Sequence, residues 1–227
     1  MRAVCLTHVP FEGPGALASH LHAQGIAIER YLVPIDGLPK DPGDLLLVMG
    51  GPMSVNDSDP WITDETAFIR ATIQAGGSVL GICLGSQLMA KALGATIRRG
   101  TAPELGMTPI RLTAEGRTDP VFGRFPDCFE VFQWHGEVFD LPQHAIPLAS
   151  SAIAPVQAFR YGDRAYGLLF HLEMDHAGMV ALCRACAPDL QRSGRTATGL
   201  VEDALPHLPA SHQRAADLLA YLLAPLR

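Results

Sequence analysis

"GICLGSQLMAKALGA", Gly81 to Ala95, sets a cysteine between two glycines, behind an apolar run and ahead of a helical apolar pattern. The run before it, "SVLGI", has the composition of a short strand buried on both faces. The residues after it place apolar side chains at helical spacing. Strand, G-x-C-x-G and helix in that order have the layout of a nucleophile elbow. A sharp turn of this kind lifts one side chain above the sheet edge, and Gly81 and Gly85 supply the small neighbours that allow it. The following helix directs free N–H groups and the positive end of its dipole at Cys83, which favours a thiolate. The N–H of Leu84 then points to where an oxyanion would form. On the motif alone an alternative stays open, that Cys83 is an ordinary small residue in a buried turn.

Outward from this stretch, the N-terminal half alternates strands and helices. Strands are expected at Ala3 to Thr7, Ile26 to Val33, with Pro34 and Gly37 closing it, and Asp44 to Gly50. Helices are expected from Gly15 to Gln24 and over "WITDETAFIRATIQAGG", where Trp61, Phe68 and Ile69 share one face. The economical arrangement is α/β, a mostly parallel sheet with helices on both faces. From Thr96 the pattern changes. "TIRRG", "MTPIRLT", "CFEVFQWHG", "IPLASS", "VQAFRYG" and "AYGLLFHLE" are short strand-like runs, expected as antiparallel ribbon additions that return to the sheet core at "AYGLLFH". The tail from Met174 reads as helical, with a mobile loop expected around "QRSGRTATG". No repeat or linker divides the chain, so residues 1–227 are expected to form one domain.

Composition sets limits on function. A length of 227 residues with 48% hydrophobic content supports a core without disulfide or metal staples. A net charge of −6 leaves no electrostatic footprint for a nucleic-acid partner. Neither a signal peptide nor a transmembrane segment is recognisable, so a cytoplasmic protein with no membrane partner is expected. The five cysteines are irregularly spaced, which argues against a disulfide framework. Cys183 and Cys186 form a lone C-x-x-C inside a helical stretch and are assigned to packing rather than to zinc or redox chemistry.

A nucleophilic cysteine needs a base. Most of the histidines are assigned to solvated surface or local capping: His20, His22, His144, His207, His212, and also His8, which ends the first strand and could line the site but has no evident partner nearby. His135 is assigned to a turn before Gly136, with a place at the site mouth, facing an acceptor or partner domain, as the alternative, and Trp134 to packing. His171 differs, because it follows an apolar strand-like run and so stands at the sheet edge where ligands gather. Glu173 is two residues on, and in extended backbone the two project to the same side. The carboxylate can accept the ring N–H, fix the tautomer and stabilise an imidazolium.

Three separated motifs together resemble the class I glutamine amidotransferase domains: "MGGPMSVND" at Met49 to Asp57, "GICLGSQLMAKALGA" at Gly81 to Ala95, and "GLLFHLEMD" at Gly167 to Asp175. "FQWHGEVFDLP", Phe132 to Pro142, is similar to the stand-alone members like the glutaminase half of GMP synthase. The resemblance covers nearly the whole chain. It implies a flavodoxin-like sheet and hydrolysis of glutamine, or a related γ-glutamyl amide, with release of ammonia. By position it implies Cys83 as nucleophile, His171 as acid and base, and Glu173 as its orienting group. It further implies an oxyanion hole from the N–H groups of Gly51 and Leu84, with Gln87, Gly50 and Pro52 on the substrate. No metal and no organic cofactor are implied. The chain departs from the family at Leu172, where His-Pro-Glu is common. No P-loop or dinucleotide glycine pattern is present to activate an acceptor with ATP, so ammonia is expected to pass to a separate synthetase partner or to be released freely. Two other readings stand beside this one: a non-catalytic regulatory member of the fold, and a cysteine amidase or peptidase with another substrate.

Overall fold

The computed structural model describes residues 1–225. The N-terminal half runs β1 (Arg2–Thr7), α1 (Gly15–Ala23), β2 (Ala27–Leu32), α2 (Val33–Asp36), β3 (Leu45–Val48), α3 (Pro60–Gln74), β4 (Val79–Ile82) and α4 (Leu84–Ala92). Then follow β5 (Ile97–Leu112), α5 (Ala114–Thr118), β6 (Cys128–Phe139), β7 (Ile146–Ser150), β8 (Ala158–Tyr161) and β9 (Ala165–Leu168). The chain continues as α6 (His176–Ala185), α7 (Ala187–Ser193), α8 (Ala197–Ala204) and α9 (Leu208–Leu223).

Among the described residues the nine strands form one sheet in the order β2-β1-β3-β4-β9-β8-β7-β5-β6. The first five in that order pair parallel, and from β9 onward every pairing is antiparallel. The expected ribbons are thus a continuation of the same sheet, and "AYGL" does return to its centre beside β4. The central strands are apolar on both faces for a visible reason. Leu45 and Leu47 point into one core layer with Leu17, Leu21, Leu218 and Leu222 from α1 and α9. Leu46 and Val48 point into the opposite layer with Ile62, Ile69, Leu88 and Met89 from α3 and α4. Each such fully buried side chain contributes about 1.5–3 kcal/mol, so the period-2 run stabilises both layers at once. A third, smaller cluster joins Phe132 to α6, α7 and α8 through Met179, Leu182, Leu190 and Leu200.

Several expectations are corrected. "TIRRG" and "MTPIRLT" are not separate strands but the two ends of β5, bent where its register with β6 shifts between Arg99 and Glu104. Pro34 does not simply close β2; it sits in the first turn of the short α2, where a missing N–H costs nothing. The stretch "QRSGRTATG" is not a loop. It ends α7, reverses at Gly194 with φ 68°, and starts α8 under a Thr196 cap whose hydroxyl accepts from Gly199 N–H. Glycine is the residue that adopts that left-handed turn without strain. No helix among the described residues is long and apolar enough to cross a membrane.

Candidate active site

The C-terminal ends of β1, β3, β4 and β9 lie side by side in the parallel half of the sheet, and the loops leaving them converge. Cys83 occupies the turn from β4 into α4 with φ 52° and ψ −110°. Positive φ is strained for a residue with a Cβ, and such strain persists only where the surroundings over-determine it. They do so here. Cys83 N–H donates to Leu168 O at 2.8 Å, while its own carbonyl accepts from Gln87 N–H at 3.1 Å and from the Ser86 hydroxyl at 2.7 Å. Gly85 rests on the backbone of Val48, with an added Cβ only 2.6 Å from that carbonyl carbon. Gly81 faces Gly85 in turn, an added Cβ meeting its carbonyl at 2.7 Å. Both glycines of the motif are therefore steric requirements of the helix's approach to the sheet.

His171 lies three residues past β9, which ends at Leu168, rather than on the strand itself. A bridge to Phe132, with His171 N–H donating to Phe132 O at 2.9 Å, holds it in place. Its Nδ1 donates to Glu173 Oε1 at 2.7 Å. Burial disfavours the imidazolium, but the Glu173 charge and contact with Cys83 outweigh it and hold His171 well above the ordinary value of 6.5. Among the described residues, His171 Nε2 has no hydrogen-bond partner. Leu172, where the family commonly has proline, is buried in the core, and Glu173 O accepts from Ala16 N–H at the start of α1 at 2.8 Å. Tertiary contacts thus fix the Glu173 backbone that a proline ring would otherwise help to set.

Of the remaining expected residues, Gly50 lies against His171 and Leu84 directly follows Cys83. Gly50 is buried and Gly51 half-buried at the end of β3, while Pro52 is exposed. A Cβ on Gly50 would stand 3.5 Å from His171 Cε1, and one on Gly51 would meet Leu84 Cδ2 at 2.8 Å. Leu84 opens α4, where a helix leaves its N–H without an internal partner. Gln87, buried on the first turn of α4, donates from Nε2 to Glu137 O at 3.3 Å. The thiol of Cys83 is 3.7 Å from Trp134 O.

The histidine assignments need correction. His8 is not at the surface. It is buried, with Nδ1 2.9 Å from Gly50 O and Nε2 3.1 Å from Glu65. Glu65 is fully buried on the apolar face of α3, between Ile62 and Ile69. A carboxylate on that stripe was the signal that could have located the pair. Glu12, also not singled out, is buried against Gly50. Burial raises its carboxyl above the usual range, the His171 charge opposes this and the Glu173 charge adds to it. His135 lies not in a turn but within β6, where Nε2 is 3.3 Å from the buried Glu104 carboxylate. His212 bonds Met174 O through Nε2 at 2.8 Å. Cys183 is packed in the third cluster with Met179 and Leu182, and Cys186 is a free thiol at its margin. Among the described residues no group of three or more His, Cys, Asp or Glu side chains could hold a metal ion.

Residues 17–180 match the family description "Glutamine amidotransferase class-I". The chain belongs to the class-I glutamine amidotransferase family. A glutamine amidotransferase-like protein of Salmonella typhimurium is 34% identical over 181 residues, 76% of this chain and 76% of its own length. One subunit of a glutamine-hydrolyzing GMP synthase from Saccharolobus solfataricus is 34% identical over 145 residues, 63% of this chain and 73% of that one. Against undivided GMP synthases of this class the match spans only 25–26% of their length. The crystal structure of a glutamine amidotransferase from Thermotoga maritima has a TM-score of 0.92 at 28% identity and covers 99% of both chains. The chain therefore shares the flavodoxin-like α/β architecture of its solved relatives along essentially its whole length.

Proposed function

We propose that the chain hydrolyses the γ-carboxamide of glutamine, or of a related γ-glutamyl amide, through a thioester on Cys83. The observation that carries this is the buried cysteine held at positive φ at a strand-to-helix elbow, beside a histidine whose Nδ1 is bonded to Glu173. Cys83 Sγ, its proton held on His171, attacks the carbonyl carbon of the γ-carboxamide, and the amide oxygen becomes an oxyanion that accepts from the N–H groups of Gly51 and Leu84. His171, protonated and oriented by Glu173, passes its Nε2 proton to the departing nitrogen. The C–N bond breaks and ammonia leaves. Water then gives a proton to His171 and attacks the thioester, the C–S bond breaks, and glutamate and the thiol are released. Gln87 at the start of α4, with Gly50 and Pro52 on the facing loop, lines the substrate side. The similarity to one subunit of a divided GMP synthase supports a separate synthetase partner as acceptor of the ammonia.

Ammonia and glutamate release from L-glutamine, measured beside Cys83→Ala, tests this. Release by the unmodified protein alone supports a free-standing thiol glutaminase. No release by either, with Cys83 still labelled by a glutamine-like electrophile and protected by glutamine, points to a missing partner. Labelling that glutamine does not protect points to a different amide substrate, and no labelling at all to a non-catalytic member of the fold.

A further inference from the structure

The loop leaving β3 is gripped by a buried ion pair that the proposed chemistry does not touch. His8 Nδ1 lies 2.9 Å from Gly50 O. A carbonyl oxygen only accepts, so Nδ1 carries a proton and donates it. His8 Nε2 lies 3.1 Å from both oxygens of Glu65. Neither side chain has exposed surface, and Trp61 stacks on the ring with centroids 5.3 Å apart. Such a pair is costly to bury, and apolar side chains like the neighbouring Ile62 and Ile69 usually fill a core position at no loss of stability. Something other than packing accounts for it.

A peptide unit is planar and trans, so its C=O and N–H point in opposite directions. Holding Gly50 O against His8 turns the N–H of Gly51 away from His8. Gly51 is wedged between His8 and Leu84, an added Cβ lying 3.1 Å from His8 Cβ and 2.8 Å from Leu84 Cδ2. We propose that His8 and Glu65 are positioning residues that lock the Gly50–Gly51 peptide with its N–H toward the Cys83 site, so the oxyanion position is formed before substrate arrives. The role of the Gly51 N–H rests on the glutaminase proposed above; the lock on the peptide does not. The charge balance agrees with a doubly protonated ring: burial opposes the charge, but Glu65, Gly50 O and the more distant Glu12 together raise His8 above its ordinary value.

Two double variants separate positioning from packing. His8→Leu/Glu65→Met removes the donor and leaves no buried charge. His8→Asn/Glu65→Gln keeps an N–H at the Nδ1 position. The donorless pair is expected to lose about 10²-fold in kcat, the usual cost of one oxyanion donor, with KM for glutamine unchanged. Its rate of iodoacetamide labelling at Cys83 should also be unchanged, because alkylation builds no oxyanion. That assay is run in a Cys128→Ser background, since Cys128 is an exposed free thiol. The Asn/Gln pair should recover kcat to within about tenfold of the starting protein. Unchanged kcat in the donorless pair overturns the proposal, as does a loss shared equally by both pairs and by alkylation. A crystal structure of the donorless pair decides the matter even if glutamine is not the substrate. A Gly50 carbonyl rotated away from position 8 supports the lock, and one that has not moved refutes it.

Discussion

Gly85→Ala is a severe test of the elbow, because one methyl group is asked to enter a space already taken by backbone. The new Cβ would lie 2.6 Å from the Val48 carbonyl carbon and closer to its oxygen. Val48 cannot retreat: β3 is hydrogen-bonded between β1 and β4, and its residues are fully buried. The relief must come from α4, which has to lift from the sheet by roughly 1 Å, and displacement of a reacting group by about that distance costs on the order of 10²-fold in rate. Overpacking of this kind also costs about 1–3 kcal/mol. In a domain of this size each kcal/mol lowers Tm by about 2–4 °C, so a fall of roughly 2–12 °C is expected. Gly136→Ala is the control, since no atom of the described residues lies within 4 Å of its added Cβ. The assays are glutamate release, iodoacetamide labelling of Cys83 and thermal unfolding of both variants. If Gly85→Ala matches Gly136→Ala in Tm and in labelling rate, the steric account of the G-x-C-x-G motif is wrong.

Glu173→Gln preserves the shape of the side chain 2.7 Å from His171 Nδ1 but removes its charge; kcat for glutamine is expected to drop by about 10²–10⁴-fold, and a drop below threefold would remove Glu173 from the mechanism. His171 also ties stability to pH. Its folded value is raised above the ordinary 6.5, so its contribution is fully present below that pH and fades as pH rises through the folded value. The stability lost in His171→Gln should therefore shrink with rising pH in urea melts; growth with pH contradicts the pairing. Asp119→Ala removes a buried carboxylate that accepts from Val121 and Phe122 N–H at 2.9 and 3.0 Å and from Arg160 Nε at 2.8 Å. Breaking such a pair costs about 3–5 kcal/mol, so Tm should fall by roughly 6–20 °C while kcat well below Tm is unchanged.

Much of the fold was legible because its signals are local. The fully apolar runs "LLLV" and "VLGI", short and bounded by glycine, fit strands covered on both faces, and the structure covers them with α1 and α9 on one side and α3 and α4 on the other. The i,i+2 spacing of His171 and Glu173 is likewise a local property, and the two side chains meet as it requires. Polarity alone misleads in two ways: it marks "QRSGRTATG" as a loop although these mostly exposed residues end one helix and start the next, and it marks His8 as surface although the ring is buried. "QRSGRTATG" is polar on both sides of a helix reversal, and His8 carries no mark in its own neighbourhood of the Glu65 that lies 57 residues away.

The sequence by itself determined the alternation of strands and helices, the elbow glycines and the candidate trio, since each depends on periodicity, turn sterics or spacing within a few residues. Only the tertiary structure decided that His8 and Glu65 pair, that Glu104 faces His135, and that Ala16 N–H holds the Glu173 backbone where a proline is missing. Those contacts join residues far apart in the chain. The energy that pairs buried charges comes from their shared desolvated surroundings, which exist only once the layers have packed.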